Sequence, residues 1–225
     1  MAFPDIGPVW LTLQLAAVTT VILIILATPV AWWLAFTRSR AKSAIEAITA
    51  LPLVLPPTVL GFYLLIFLSP TSPLGGLWVE VTGTTLTFSF TGLVVASIIY
   101  SLPFAVQPLQ VAFEGIGRQQ MEAAATLRAS PLDAFATVAV PLALRGYLTA
   151  GVLSFAHTIG EFGVVLMVGG NIPGETKVIS VAIYEHVETI NYRDAHILSA
   201  GLLIFSFLVL FFVYAVNRRF PLRVG

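Results

Sequence analysis

Five runs of apolar residues dominate the chain, at roughly Val9 to Phe36, Ile48 to Leu68, Thr91 to Phe113, Leu142 to Val168 and Ile197 to Val216. About 20 such residues in a helix cross the ~30 Å hydrocarbon layer of a bilayer. Inside that layer each backbone N–H and C=O needs an internal partner, a condition a helix meets within its own segment. The runs therefore predict an all-α integral membrane protein of about five transmembrane helices, with residues 1–225 forming a single transmembrane domain. Composition agrees: 58% of residues are hydrophobic, 10% are charged and mean hydropathy is +0.95. Cysteine is absent, which excludes a disulfide framework and thiolate metal sites. The opening MAFPDIGPVW has no basic start and no small-residue cleavage site, so the first span is expected to stay in the mature protein.

Five spans put the termini on opposite sides. Arg38, Arg40, Lys42, Arg118, Arg128, Arg145, Arg218, Arg219 and Arg223 fall on one side, and only Lys177 and Arg193 on the other. The positive-inside rule then places the N-terminus outside and the C-terminus in the cytoplasm. It also makes the loop at about 114–141 cytoplasmic. That loop contains MEAAATLRASPLDAFATVAVP, which reads as soluble protein. QQMEAAATLR is built of good helix formers, and SPLDAF offers Ser130 as N-cap, Pro131 at the first helical position and Asp133 at N3. Two short helices joined at Ala129 and Ser130 follow, as a hairpin resting at the membrane surface or as a docking element for a cytosolic partner.

The spans carry polar residues that lipid would not tolerate. Pro52, Pro56 and Pro57 remove backbone donors early in the second run, and such broken helix belongs where it is buried or lines a cavity. The third run carries Pro103 and Pro108 beside Tyr100, Ser101, Gln107 and Gln110, which suggests a channel face. In the fourth, Gly146, Ala150, Ser154, His157 and Glu161 step by four, four, three and four residues and so stay within a sector of roughly 80°. Small residues there permit close helix packing, and an intramembrane glutamate must face protein or a wet cavity. His157 and Glu161, four apart, are placed to pair, either structurally or as a gate. Pro56, Pro57, Ser101, Ser154, His157 and Glu161 are thus the candidates for a translocation pathway. No Lys or Arg lies deep in a span, so an anion passing through would meet hydroxyls, backbone donors and water.

Other chemistry is missing. GGNIPGETK departs from G-x-x-x-x-G-K-[ST], so no nucleotide-binding loop is encoded. No paired-carboxylate, HExxH or Ser/His/Asp arrangement stands out, and three scattered histidines are a poor basis for a metal centre. Between 169 and 194, VISVAIYEHVETI is too short to cross a bilayer and suits an interfacial or re-entrant helix. The 69–90 loop, rich in Gly, Thr, Ser and Pro, reads either as a plain solvated connection or as a second external contact surface.

Glu122-Ala123-Ala124, a turn, then Phe135, Val138 and Val140-Pro141 resemble the EAA loop of binding-protein-dependent ABC importer permeases. LPLVLPPTVLGFYLL, GEFG and NIPGET narrow the resemblance to molybdate permeases, with sulfate and tungstate permeases as near relatives, over nearly the whole chain. The resemblance implies the type I importer architecture in a bacterial inner membrane. It also implies a homodimer, two ATP-binding cassette subunits that carry ATP and Mg, and an external molybdate-binding protein. This chain would then be no enzyme, would bind no cofactor of its own and would meet lipid but no nucleic acid. Glu122, Ala123, Ala124, Arg128, Ser130, Phe135 and Pro141 would couple to the ATP-binding subunit. Asn171, Pro173, Glu175 and Lys177 would meet the binding protein. Arg128 stands where that pattern has glycine, and the expectation is that it adopts ordinary helical or extended angles unless the turn strains it. The competing class is a proton-coupled secondary transporter using His157 and Glu161 as a relay; a purely structural assembly subunit fits poorly with so many proline-broken spans.

Overall fold

The computed structural model describes residues 5–219. The start of the leader reading, at residues 1–4, and Arg223 of the charge count lie outside the described residues.

Helix α1 (Gly7–Phe36) forms the longest element, and Leu11, Leu15, Leu23, Ala27, Ala31 and Leu34 bury one ridge of it. Leu11 to Ala31 follow the four-residue ridge of a helix surface and Leu34 continues it one residue short, whereas Trp10, Val21 and Ile25 on other faces stay exposed, as lipid-facing residues do. The ridge packs on α5 (Phe90–Glu114) and α9 (Leu144–Gly160). Ser89 caps α5, its Oγ accepting the Gly92 N–H at 3.1 Å. Leu23, Ala27 and Leu34 meet Val106, Leu109 and Phe113 of α5 and Ala150 of α9 in a core that is nearly inaccessible.

Where α5 crosses α9, a Cβ placed on Gly146 would lie 2.3 Å from the Ala112 Cβ, so only glycine permits this approach. A second such contact joins α3 (Pro57–Leu68) to α10 (Gly163–Gly169), where a Cβ on Gly163 would meet the Pro57 Cβ at 2.6 Å.

Two of the five runs are broken, the second as its prolines predict and the fourth against expectation. The second consists of α2 (Lys42–Val54) and α3, with axes inclined at 112°. Its hinge is Leu55-Pro56, both extended, because consecutive prolines remove N–H donors and push the preceding residue out of the helical region. The fourth run does not continue from 142 to 168: α9 ends at Gly160, Glu161 is extended, and α10 restarts two residues later. Among the described residues, three helices, α1, α5 and α12 (Tyr192–Arg219), are individually long and apolar enough to cross a membrane, with up to five spans when each bent pair is counted as one.

The 69–90 connection contains a helix, α4 (Pro73–Thr82), started by Ser72, whose Oγ accepts the Gly75 N–H at 2.9 Å. The loop is thus more than a plain connection. The short run near 180 forms α11 (Ile179–Glu188), as its length predicts.

Candidate functional site

The loop between α5 and α9 folds as two short helices. The first, α6 (Gly117–Thr126), exposes Glu122 and Ala123 and buries Ala124. The second starts as α7 (Pro131–Ala134), with Ser130 Oγ accepting the Asp133 N–H at 3.2 Å as the capping signal predicts. It widens into a π turn at Phe135–Ala139, closed by the Val140 N–H on the Phe135 carbonyl, and ends in α8 (Val140–Leu142). Pro141 has no N–H to give the preceding turn, which accounts for irregular geometry here.

Of the two courses open to Arg128, the structure takes the strained one. The residue sits at φ 61°, in the left-handed region, so the turn keeps the backbone a glycine would give and imposes it on an arginine. The Ala129 N–H reaches back to the Ala124 carbonyl at 3.1 Å and fixes that shape. A left-handed residue with a side chain costs about 1–2 kcal/mol. Arg128→Gly is therefore expected to raise thermal stability by up to about 1 kcal/mol, after glycine's greater unfolded-state freedom is set against the relieved strain. A lower unfolding midpoint of the purified variant would mean that the arginine side chain holds the turn.

Either side of this turn stand Leu127 and Leu132, 83% and 82% exposed. Neither was singled out from sequence, although two leucines flanking a turn in an otherwise polar stretch were a usable signal. Phe135, by contrast, points into the bundle, its ring 5.0 Å from Trp32 and 6.1 Å from Phe113. Glu122 opens onto a cavity of about 270 Å³ bounded by Trp32, Phe36, Met121 and Ala125.

Between α5 and α9, His157 lies between two aromatic rings, at 4.9 Å from Tyr100 and 4.0 Å from Phe104. Its Nδ1 is 2.9 Å from Ser101 Oγ, which is 3.2 Å from Thr158 Oγ1. Thr158 in turn donates to the Ser154 carbonyl at 2.9 Å. Ser101 and Ser154 are fully buried, and the Ser154 hydroxyl has no partner among the described residues.

Glu161 leaves this stripe, correcting the continuous-helix reading. Its carboxylate accepts the Val164 N–H at 2.9 Å and starts α10, and its carbonyl accepts from Ser180 Oγ at 2.6 Å. No hydrogen bond or ion pair joins His157 to Glu161, so the predicted pairing is absent: the helix ends between them and removes the four-residue relation. Pro56 marks the α2–α3 hinge and Pro57 abuts Gly163.

At the other end of the bundle, Asn171 Nδ2 donates to Glu185 Oε2 at 2.8 Å and Lys177 Nζ pairs with the same oxygen at 2.5 Å. Two of the four expected contact residues thus brace their own loop, while Pro173 and Glu175 are exposed and free to touch a partner. Glu185, not predicted, is the anchor. Lys177, then the Asn171 amide, hold its carboxyl below the usual carboxylate range. Because its folded value is depressed, the brace is complete above the ordinary glutamate pKa and is lost as pH falls through the lower value. Lys177→Met is expected to make residues 170–177 several-fold more cleavable by an added protease at neutral pH. Wild type and variant should converge in strong acid.

The bent helical bundle and its compact two-helix loop agree with the importer-permease architecture that the sequence resemblance implies. Residues 19–225 match the family described as binding-protein-dependent transport system inner membrane component, and the chain belongs to it. It is 59% identical to the molybdenum transport system permease protein ModB of Azotobacter vinelandii, over 96% of this chain and 95% of that one. It is 36% identical to ModB of Escherichia coli K12, over 71% and 69%, and 34% identical to the sulfate transport system permease protein CysT of the same strain, over 86% and 70%. Among solved structures, inward-facing conformations of the MetNI methionine ABC transporter match with a TM-score of 0.72 at 20% identity, over 94% of both chains. A bacterial alginate ABC transporter in complex with a pentasaccharide-bound periplasmic protein matches at 0.75 and 16% identity, over 95% and 78%. At those identities the likeness establishes the fold.

Proposed function

We infer that this chain is the transmembrane subunit of a molybdate importer, acting as a homodimer with two ATP-binding subunits and an external binding protein. The carrying observation is the loop at 117–142: it folds as two short helices whose connecting turn presents Leu127 and Leu132, both more than four-fifths exposed, as an apolar pair for a partner surface. ATP and Mg belong on the partner, and Glu122, Ala123, Ala124, Arg128 and Ser130 form or shape the docking surface. Phe135 and Pro141 act behind it, linking the turn to Trp32, Phe113 and the start of α9. Residues 1–225 are one permease domain with the N-terminus outside.

The choice of molybdate rests on the 59% identity over nearly both chains; the sulfate permease, at 34%, makes sulfate or tungstate the alternative cargo. Ser101, Ser154 and His157 border the pathway, with Pro56, Pro57 and Glu161 shaping the broken spans around it. Pro173 and Glu175 meet the binding protein on a loop braced by Asn171 and Lys177. A His157–Glu161 proton relay has less support, since the two side chains are not joined. The test is uptake into liposomes containing this chain, its ATP-binding subunit and binding protein. Molybdate accumulation should require ATP and the binding protein. Uptake driven by a proton gradient alone would overturn the reading.

A further inference from the structure

Tyr100, Phe104, Gln107 and Val111 succeed one another by four, three and four residues and so share one face of α5. Opposite them, Arg145, Thr149 and His157 belong to a single four-residue ridge of α9. Their contacts divide the seam into two parts. At one end Tyr100 and Phe104 close on His157. At the other, the helices cross closely at Gly146 and Ala112, and Gln107, Val111, Arg145 and Thr149 line an open groove of about 500 Å³ beside that crossing. That volume exceeds one water's share of ~30 Å³ by an order of magnitude, which leaves room for an anion with part of its hydration.

The polar lining is a guanidinium, a carboxamide and a hydroxyl. Arg145 is half-buried, and none of the ion pairs or side-chain hydrogen bonds among the described residues engages it. A guanidinium drawn partly out of water without a carboxylate favours an anion, and its fork suits two oxygens of a tetrahedral one. Gln107 and Thr149 supply further donors without adding negative charge. Beyond the aromatic closure, at His157, no fixed cation is available.

The geometry points to a low-affinity tetrahedral-oxyanion site formed by Arg145, Gln107 and Thr149, on the cytoplasmic side of a closure made by Tyr100, Phe104 and His157. This rests on the importer reading and assigns to it the station from which cargo leaves. The same chemistry would accept a lipid headgroup phosphate, but the carboxamide and hydroxyl sharing the cavity favour a small free anion.

The test uses the complete transporter in phosphatidylcholine nanodiscs, without ATP or binding protein, and measures equilibrium binding of labelled molybdate. Wild type should bind saturably. Arg145→Gln should weaken binding by tenfold or more, and Arg145→Lys should restore part of it. Unchanged affinity in Arg145→Gln, or no saturable binding by wild type, would overturn the site. Replacing part of the lipid with phosphatidylglycerol should leave wild-type affinity unchanged; competitive loss would assign the cavity to lipid phosphate and overturn the cargo assignment. Parallel uptake by the wild-type system separates the two levels. Transport with an unaltered Arg145→Gln affinity refutes the site alone, whereas absence of ATP-driven uptake refutes the importer reading.

Discussion

Leu127→Arg combined with Leu132→Arg is expected to detach the ATP-binding subunit and abolish ATP-driven uptake. Both side chains are more than four-fifths exposed in the isolated chain. Their replacement therefore removes no internal contact of the permease. Burying a leucine against a partner contributes about 1.5–3 kcal/mol, and two at one small interface represent ~3–6 kcal/mol. At about 1.4 kcal/mol per decade, subunit affinity should fall at least a hundredfold, before the cost of burying two charges is added. Co-purification and molybdate-stimulated ATPase activity should fall together, while the permease remains extractable and unfolds at its normal temperature. A fully coupled double variant would remove these residues from the docking surface. Glu122→Arg tests the same surface through charge and should show the same paired loss.

Gly146→Leu is expected to prevent assembly of the α1–α5–α9 core. A Cβ alone would come within 2.3 Å of the Ala112 Cβ and 3.2 Å of the Pro108 carbonyl, and neither neighbour is a flexible chain end. The helices would have to separate, loosening the Val106, Leu109 and Ala150 packing beside the crossing. Overpacking of this kind typically costs 1–3 kcal/mol, and a leucine on a backbone contact belongs at or above the upper end. Little folded protein should be recovered in detergent. Gly146→Ala with Ala112→Gly provides the critical comparison: the second change removes the atom that the first would strike, so the pair should be more stable than Gly146→Ala alone. Equal stability would mean that the crossing relaxes without regard to side-chain size.

The breaks in the helices were partly legible. Pro52, Pro56 and Pro57 announced an irregular second span, but the 112° bend depends on α3 being held against α10 through Gly163, a contact between residues more than a hundred positions apart. The fourth span was misread because GEFG is apolar enough to extend a hydrophobic run. Glu161 instead uses its carboxylate to start a new helix. Hydropathy is blind to that distinction, since the same glutamate is compatible with a helix face and with a cap. Arg128 shows the converse. Its side chain argued for ordinary angles, and the closing bond from Ala129 to Ala124 held it in the left-handed region.

The sequence by itself determined the class, the number of apolar runs, the charge asymmetry and the existence of a folded loop at 114–141. These follow from local quantities: the length of a hydrophobic run against bilayer thickness, the distribution of Lys and Arg, and capping signals a few residues apart. Tertiary structure alone decided that His157 turns to Ser101 and away from Glu161, that Lys177 and Asn171 converge on Glu185, that Phe135 faces inward while Leu127 and Leu132 face out, and that Arg145 shares a cavity with Gln107. Each depends on which helices cross and how closely, and that is fixed by packing between segments far apart in the chain.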